Sequence, residues 1–298
     1  MKLLLATRKS MLALAQARAY YRALQAAHPG LEIEERQIVT TGDRIVDRPL
    51  YEVGGKGVFL KEIEEALLAG EAHLAVHSIK DVPAELAPGL VLAAVPERED
   101  PRDAWISRDG AKLDELPAGA KVGTSSLRRV TMLRARRPDL VFVPLRGNVD
   151  TRVAKVRSGE IDAAVLATAG LRRLGREAEI TEVLSPEVCL PAVGQGALGI
   201  ECRDGDDATW RVVRASHHLP TAIAVAAERG VMRAVSGSCQ VPVAAHATRE
   251  GAELVRRAML ADPDGSNQRF ADLRAPWPAD EAIAATLGER LGATLGPA

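Results

Sequence analysis

The chain has 298 residues, 47% apolar and 27% charged, with a formal net charge of −1. This is enough to bury cores in two or three domains, and it excludes both a disordered tail and a wholesale basic nucleic-acid binder. Aromatics are only 3%, too few for a base-stacking platform. No apolar run approaches the ~20 residues of a membrane helix, and the four apolar residues after Lys2 are too short a core for a signal peptide. Three cysteines, Cys189, Cys202 and Cys239, are too few and of the wrong parity for a disulfide framework. The expectation is a soluble, cytoplasmic protein of a reducing compartment, with neither a nucleic-acid nor a membrane partner.

Residues 2–6 read as a short apolar strand, and 11–27 follow with helical periodicity through Leu12, Leu14, Ala15 and Leu24. Residues 31–39 alternate as a strand, and 59–69 read as a helix stopped by Gly70. Further short β runs fall at 74–78, 90–95, 121–123, 140–145 and 163–167, with helices at 126–136, 148–157 and 207–215. Such alternation implies an α/β fold with a largely parallel sheet covered by helices. Beyond Pro220 the pattern becomes a helix at 221–235, strands at 241–247, 252–260 and 268–274, and a last helix at 279–292. That order suggests a small α+β domain. Polar, Pro-bearing stretches at 97–103 and 216–220 mark boundaries, and the long Gly-rich segment 40–58 reads as a lid or binding loop. ATRKSMLAL (6–14) and GTSSLRRVTML (123–133) echo each other. Either two α/β domains are related, or two strand–helix junctions are alike by chance.

The basic residues are 8 Lys and 31 Arg. Eleven Arg lie between 128 and 176 with Lys155, against only Asp139, Asp150, Glu160 and Asp162. Most of these suit a solvated basic face, but the excess also suits a site for a small polyanion, because the Arg fork grips carboxylates and phosphates at two points. In open α/β sheets, ligands bind at the carboxyl ends of strands. Four such ends carry hydroxyls and cations: Thr7-Arg8-Lys9-Ser10, Ser78-Ile79-Lys80-Asp81, Thr124-Ser125-Ser126-Leu127-Arg128-Arg129, and Arg146-Gly147-Asn148 with Arg152. Each hydroxyl alone reads as a helix cap; the set together describes an anion-binding cleft. Asp81 is an acid among cations, suited either to a salt bridge or to facing a developing positive charge or a moving proton.

Other motifs fail on context. Gly194-Gln195-Gly196-Ala197-Leu198-Gly199 fits the dinucleotide fingerprint by letter, but Ile200-Glu201-Cys202 after it reads as a strand, where the motif demands a helix. Gly54-Gly55-Lys56-Gly57 lacks the spacing of a phosphate loop. His73 and His77 lie on a strand pattern without a nearby Cys, so no metal site is expected. Cys239, in the small-residue loop 236–240, is an accessible thiol suited to covalent chemistry, although such a thiol is more often a bystander; Cys189 and Cys202 sit in apolar contexts and read as buried.

Longer motifs go further. ATRKSMLALAQ (6–16), VGGKGVFLKEIEEALL (53–68), AVHSIKDVP (75–83), EREDPRDAW (97–105), VGTSSLRR (122–129), RRPDL (136–140), LRGNVDTR (145–152), LPAVGQGALGIECR (190–203) and GSCQVPV (237–243) occur in order along nearly the whole chain. In these the sequence resembles the hydroxymethylbilane synthase (porphobilinogen deaminase) family. The resemblance implies two doubly wound α/β domains of the periplasmic-binding-protein type, 1–97 with 198–217 and 98–197, and a third domain, 218–298. It implies a transferase that joins four porphobilinogen molecules head to tail with loss of ammonia, releasing hydroxymethylbilane for haem and related tetrapyrroles. It implies a covalent dipyrromethane cofactor held as a thioether, on the position matching Cys239, and a monomer. The catalytic aspartate of the family matches Asp81. Its cofactor- and substrate-binding positions match Arg8, Ser10, Lys80, Thr124, Ser125, Ser126, Arg128, Arg129, Arg146 and Arg152, with Arg173 and Gln195 in matching segments and Lys56 and Phe59 on the lid. The chain departs in two places: Val235-Ser236-Gly237-Ser238 replaces the usual Leu-Glu-Gly-Gly lead into the cysteine, and Met11 stands where Pro is frequent. A growing chain with two carboxylates per ring would explain the clustered Arg. Loss of ammonia would leave a cationic azafulvene, which one carboxylate at Asp81 could stabilise while helping to protonate the leaving amine. Room for the growing chain would come from movement of the lid or the domains.

Three other readings compete. A non-enzymatic solute-binding or effector-sensing protein would not need Cys239 or a third domain. A different cysteine-dependent transferase with a phosphorylated substrate would need a base beside Cys239. An inactive homologue kept for an interaction would not need the set of Asp81, Cys239 and strand-end Arg intact.

Overall fold

The structure is a computed structural model and describes residues 1–44, 59–235 and 241–296. Most of the expected lid, including Lys56, and the loop bearing Cys239 lie outside the described residues.

The first sheet has the order β2-β1-β3-β10-β4. It is built from β1 (Lys2–Arg8), β2 (Glu32–Ile38), β3 (Leu74–Ser78), β4 (Leu90–Ala94) and the returning β10 (Leu198–Arg203). β1 runs parallel to β2 and β3, and β10 runs antiparallel between β3 and β4. Helix α1 (Met11–Ala27) follows β1, and α2 (Thr41–Arg44) and α3 (Lys61–Leu68) precede β3. The central strands β1 and β3 are largely buried and mostly apolar, as strands covered on both faces are, whereas the edge strand β2 (EIEERQI) is polar and largely solvent-facing. Leu3, Leu5 and Val76 pack with Ala17, Tyr20 and Leu24 of α1; Ala6 and Ala75 pack with Ile63 and Leu67 of α3.

The second sheet has the order β7-β6-β8-β5-β9. Its strands are β5 (Asp103–Ser107), β6 (Lys121–Gly123), β7 (Val141–Val143), β8 (Ala163–Ala167) and β9 (Glu182–Leu184), with α4 (Leu127–Arg136), α5 (Val149–Arg157) and α6 (Thr168–Arg173) between them. The plan repeats that of the first sheet: three parallel strands, then an antiparallel one, then an edge. The sequence echo falls at equivalent places, β1–α1 and β6–α4, with Ser10 and Ser126 each capping a helix. The periodicity reading did not include β5, β9 or α6. These elements are three to six residues long. Trp105 of β5 is nevertheless fully buried, with its Nε1 donating to the Ala111 carbonyl at 3.1 Å.

After α7 (Asp207–Arg214), helix α8 (Leu219–Ala234) opens with Pro220 in its first turn, where a missing N–H costs nothing. Strands β11 (Val243–Glu250), β12 (Glu253–Leu260) and β13 (Arg269–Pro276) form an antiparallel meander, and α9 (Glu281–Leu295) closes it. Leu254, Ala258 and Leu260 pack toward α8 and α9, while Ala244 and Met259 join the core of the second sheet. Helices α8 and α9 approach so closely that a Cβ at Gly288 would collide with the Ala227 backbone.

Two adjacent crossovers, 95–102 and 185–197, join the first two sheets. Glu99 N–H donates to the Gly196 carbonyl at 3.3 Å, and Gly196, at φ +88, admits this close approach, since a side chain there would strike the Glu99 carbonyl. Glu228 of α8 ties both crossovers to the third sheet. It accepts Arg98 Nη1 and Nη2 at 2.6 and 3.0 Å, Gly194 N–H at 2.7 Å and Ala247 N–H at 2.9 Å.

Candidate active site

The carboxyl ends of β1 and β3 build one wall. Ser10 accepts Ala13 N–H at 3.3 Å and so fixes the start of α1. Arg8 lies over the Phe59 ring at 3.9 Å. A single 3-10 turn, Ile79–Asp81, follows β3 and leaves Lys80 and Asp81 exposed while Ile79 is buried. Gln16 Nε2 donates to Ser78 Oγ at 3.0 Å and holds this strand end to α1. Arg8, Ser10, Phe59, His77, Ser78 and Asp81 line one pocket. Gln16 and His77 were not among the expected site residues.

The second sheet supplies the opposite wall. Ser126 caps α4 through Arg129 N–H at 3.4 Å, and Thr124 Oγ1 accepts Ser126 N–H at 3.2 Å. Ser125 Oγ donates to the Leu145 carbonyl and accepts its amide, both at 3.0 Å, so it closes the β6–β7 strand ends. Arg152 Nε donates to the Gly147 carbonyl at 2.9 Å, and Arg173 Nη2 to the Gly196 carbonyl at 2.6 Å. Gly170 of α6 faces Leu12 of α1 across the gap.

The two walls sense each other electrostatically. Lys80 is solvent-accessible yet ringed by protein. That loss of bulk water, with Arg129 and Arg128 opposite, outweighs Asp81 and Asp103 and pushes its ammonium down to about 8. Lys80 makes no hydrogen bond among the described residues. Arg152 is lowered to about 10, by burial first and then by Arg129 and Arg146, with Asp81 opposing. Burial likewise lowers Arg173 to about 10. The site is therefore an under-neutralised cationic cleft with one carboxylate, Asp81, exposed beside Lys80.

Arg128 and Arg129 are placed differently from the solvent-facing forks the sequence suggested. They are 5% and 6% exposed, and both grip Asp103, which is 0% exposed. Arg128 Nη1 reaches Asp103 Oδ2 at 2.8 Å and the Leu190 carbonyl at 2.6 Å; Arg129 Nη2 reaches Asp103 Oδ1 at 2.6 Å. Gln195 Nε2 joins at 2.9 Å and also holds the Pro101 carbonyl at 2.7 Å. The two guanidiniums overcome burial and hold the Asp103 carboxyl well below the ordinary range. The cluster keeps an excess positive charge behind the cleft. Asp103 was missed in the sequence; the signal was an acid opening the apolar run Ala104-Trp105-Ile106.

Both described cysteines are inert by environment. Burial, then Asp103, pushes the Cys189 thiol up to about 12, and burial pushes Cys202 up to about 11. Among the described residues no group of His, Cys, Asp and Glu could hold a metal, and no helix is long and apolar enough to cross a membrane. Gly194 to Gly199 leads into β10, not into a helix. A wider concavity of about 480 Å³ opens at the opposite end of the first sheet, beside Lys2, His73 and Asp206. Its charged groups serve the fold: Arg203 holds the Leu67 and Ala72 carbonyls, and Asp206 caps α7.

Family models match most of the chain: "Porphobilinogen deaminase, dipyromethane cofactor binding domain" over residues 3–211 and "Porphobilinogen deaminase, C-terminal domain" over 222–296. A curated porphobilinogen deaminase of Sorangium cellulosum is 60% identical over 294 residues, 99% of this chain and 98% of that protein. The same-named proteins of Syntrophotalea carbinolica and Ralstonia nicotianae are 51% and 53% identical, covering 96% and 97% of this chain and 90% and 87% of theirs. Among solved structures, the periplasmic VFT2 domain of Bordetella pertussis BvgS aligns with TM-score 0.42 and 16% identity, over 72% of this chain and 86% of that one. The probable amino-acid-binding protein YtmK of Bacillus subtilis aligns with TM-score 0.44 and 6% identity, over 72% and 90%.

Proposed function

The chain belongs to the porphobilinogen deaminase family, and on that premise we propose that Asp81 is its catalytic carboxylate and Cys239 its cofactor attachment point. The enzyme is a transferase of tetrapyrrole biosynthesis with porphobilinogen as substrate and dipyrromethane as cofactor. It joins four porphobilinogen molecules head to tail with loss of one ammonia each, and water then cleaves the finished tetrapyrrole from the cofactor, releasing it as hydroxymethylbilane. The cleft suits a cofactor bearing several carboxylates, because Lys80 and Arg152 stand there with their charge only partly neutralised. Bound through the Cys239 thioether, the dipyrromethane supplies the nucleophilic pyrrole carbon from which the chain grows.

Each coupling breaks one C–N bond, forms one C–C bond, and releases the amine together with the proton of the attacking carbon. Asp81 stabilises the positive charge that develops as the amine leaves and accepts or returns the proton in transit. Lys80, Arg146 and Arg152 hold acetate and propionate groups, each through a charge-assisted contact of ~1.5–3 kcal/mol. Arg8 and Arg173 flank these groups. Ser10, Thr124 and Ser126 bring helix N-termini to the same carboxylates, and Ser125 keeps those strand ends together. Arg128, Arg129 and Gln195 act from behind, by fixing Asp103 and the positive field of the wall. Phe59 supports Arg8, and Lys56 belongs to the lid. Domain boundaries at 97/98, 197/198 and 217/218, a cytoplasmic location and a monomer without a nucleic-acid partner complete the reading.

What supports it is that a chain matching the family over nearly its whole length places Lys80 and Asp81 at the end of β3 on one wall and Arg152 on the other. Intact mass and turnover test it. Asp81→Ala should keep the added mass of two linked pyrroles yet lose ~10²–10⁴-fold in rate, whereas Cys239→Ser should lack that mass. Normal turnover in Asp81→Ala would remove Asp81 from the mechanism, and retained mass in Cys239→Ser would move the attachment elsewhere.

A further inference from the structure

The turn that carries Asp81 is anchored on both sides. Before it, Ile79 is 0% exposed and packs with Ala222 and Val225 of α8, and its N–H donates to the Ala197 carbonyl at 3.0 Å. Gly194 and Gly199 make the room, since a Cβ at either would strike the Ile79 side chain. After it, the chain leaves as Val82-Pro83-Ala84, extended at Val82. Among the described residues no backbone N–H reaches the carbonyls of these three. One side chain reaches them all. Arg229 Nη1 donates to the Val82 carbonyl at 3.4 Å, and Nη2 donates to Pro83 at 2.8 Å and to Ala84 at 3.0 Å. Arg229 lies four residues beyond Val225, so both stand on the face of α8 that covers the turn. It is 7% exposed, and among the described residues no carboxylate pairs with it. A buried Arg is ordinarily paired with an acid; here the guanidinium serves three successive carbonyls.

We propose that Arg229 is a positioning residue for the coupling reaction: it grips the backbone immediately after Asp81 and so fixes where that carboxylate stands. The turn has one backbone bond of its own, from Val82 N–H to the Ile79 carbonyl at 2.9 Å, and one such bond does not hold an exposed 3-10 turn in a single place. Ile79 before it and Arg229 after it remove that freedom. The planar fork suits the task, because it presents several donors in fixed directions, where an ammonium would offer a single point charge. Helix α8 also leads toward the thiol, since its last residue, Ala234, precedes Cys239 by five positions. One rigid element thus holds the turn of the acid and starts the segment that bears Cys239. A shift of the acid by about 1 Å is enough to cost ~10²-fold in rate. The proposal rests on Asp81 being the reacting carboxylate.

Two variants of the holoenzyme test it. Arg229→Lys keeps the charge but not the fork, and Arg229→Gln keeps two donors but removes the buried charge. Intact mass should show two linked pyrroles on both; their absence would place Arg229 in cofactor assembly and overturn the proposal. Both variants should lose ~10–100-fold in kcat. KM should change less than about threefold, because Arg146 and Arg152 hold the substrate carboxylates from the other wall. In the Asp81→Ala background, Arg229→Lys should cost less than about twofold further, since its effect passes through Asp81. Unchanged kcat in either folded variant, or the same loss in both backgrounds, overturns the proposal. Failure of both variants to fold overturns it too, by making Arg229 a residue of the fold alone. The premise fails separately: normal turnover in Asp81→Ala by itself removes the reacting carboxylate, whatever the Arg229 variants do.

Discussion

Lys80 illustrates how a cleft tunes one residue. Its ammonium is pushed down to about 8 by the protein crowding it and by Arg129 and Arg128, against Asp81 and Asp103. The charged form is complete well below that value and is lost as pH rises through it. A bound carboxylate favours the charged form and moves the value back up. Ligand binding at about pH 9 should therefore take up a proton, and far less should be taken up at pH 7. Calorimetry of the binding of a non-reacting porphobilinogen analogue, which keeps the acetate and propionate but lacks the aminomethyl group, in buffers of different ionisation enthalpy measures this uptake. Lys80→Arg should abolish it while keeping the charge, since Arg stays protonated throughout. Equal uptake in both proteins would assign the proton to another group.

At the scale of elements, helices α1 and α4 present the same device. A capping serine at each N-terminus fixes where the helix begins and aims its free N–H groups into the cleft. Glycine does comparable work where α8 meets α9. At Gly230 and Gly288 each helix offers backbone to the other, and any Cβ must push the pair apart. Gly288→Ala should destabilise the third sheet–helix unit by ~1–3 kcal/mol, the usual cost of overpacking, despite its better helix propensity. Thermal unfolding of the purified variant checks the sign; an unchanged or raised midpoint would mean that the helices separate freely.

For the whole molecule, Glu228 is the point where both crossovers and the third sheet meet. Burial pushes its carboxyl up, but Arg98 and His246 more than offset this and hold it down to about 2. Its stabilisation is complete above the unfolded carboxyl value of 4.5 and is lost as pH falls toward about 2. Glu228→Gln keeps the shape but leaves Arg98 buried without its anion, a loss of ~3–5 kcal/mol. The thermal midpoint should fall at neutral pH, and the acid dependence of stability below pH 4.5 should flatten. A variant with the wild-type acid profile would show that the three units hold together without this charge.

The sequence by itself determined the α/β alternation, because strands buried on both faces must be apolar runs and the helices covering them must be amphipathic. It also determined the strand-end cations and Asp81, since ligands in such sheets meet strand ends, and the long family motifs named the chemistry. Only the tertiary structure decided which charges face a ligand and which are used inside. Asp103, Glu201 and Glu228 read as ordinary acids in sequence, and Arg128 and Arg129 as ordinary cleft cations. Their roles come from partners far away in the chain: Glu201 meets His77 across 124 residues, and Glu228 meets Arg98 across 130. Composition and local periodicity carry no record of such pairings. Burial makes each of these charges depend on one distant partner, and the path of the chain through two crossovers determines which partner that is.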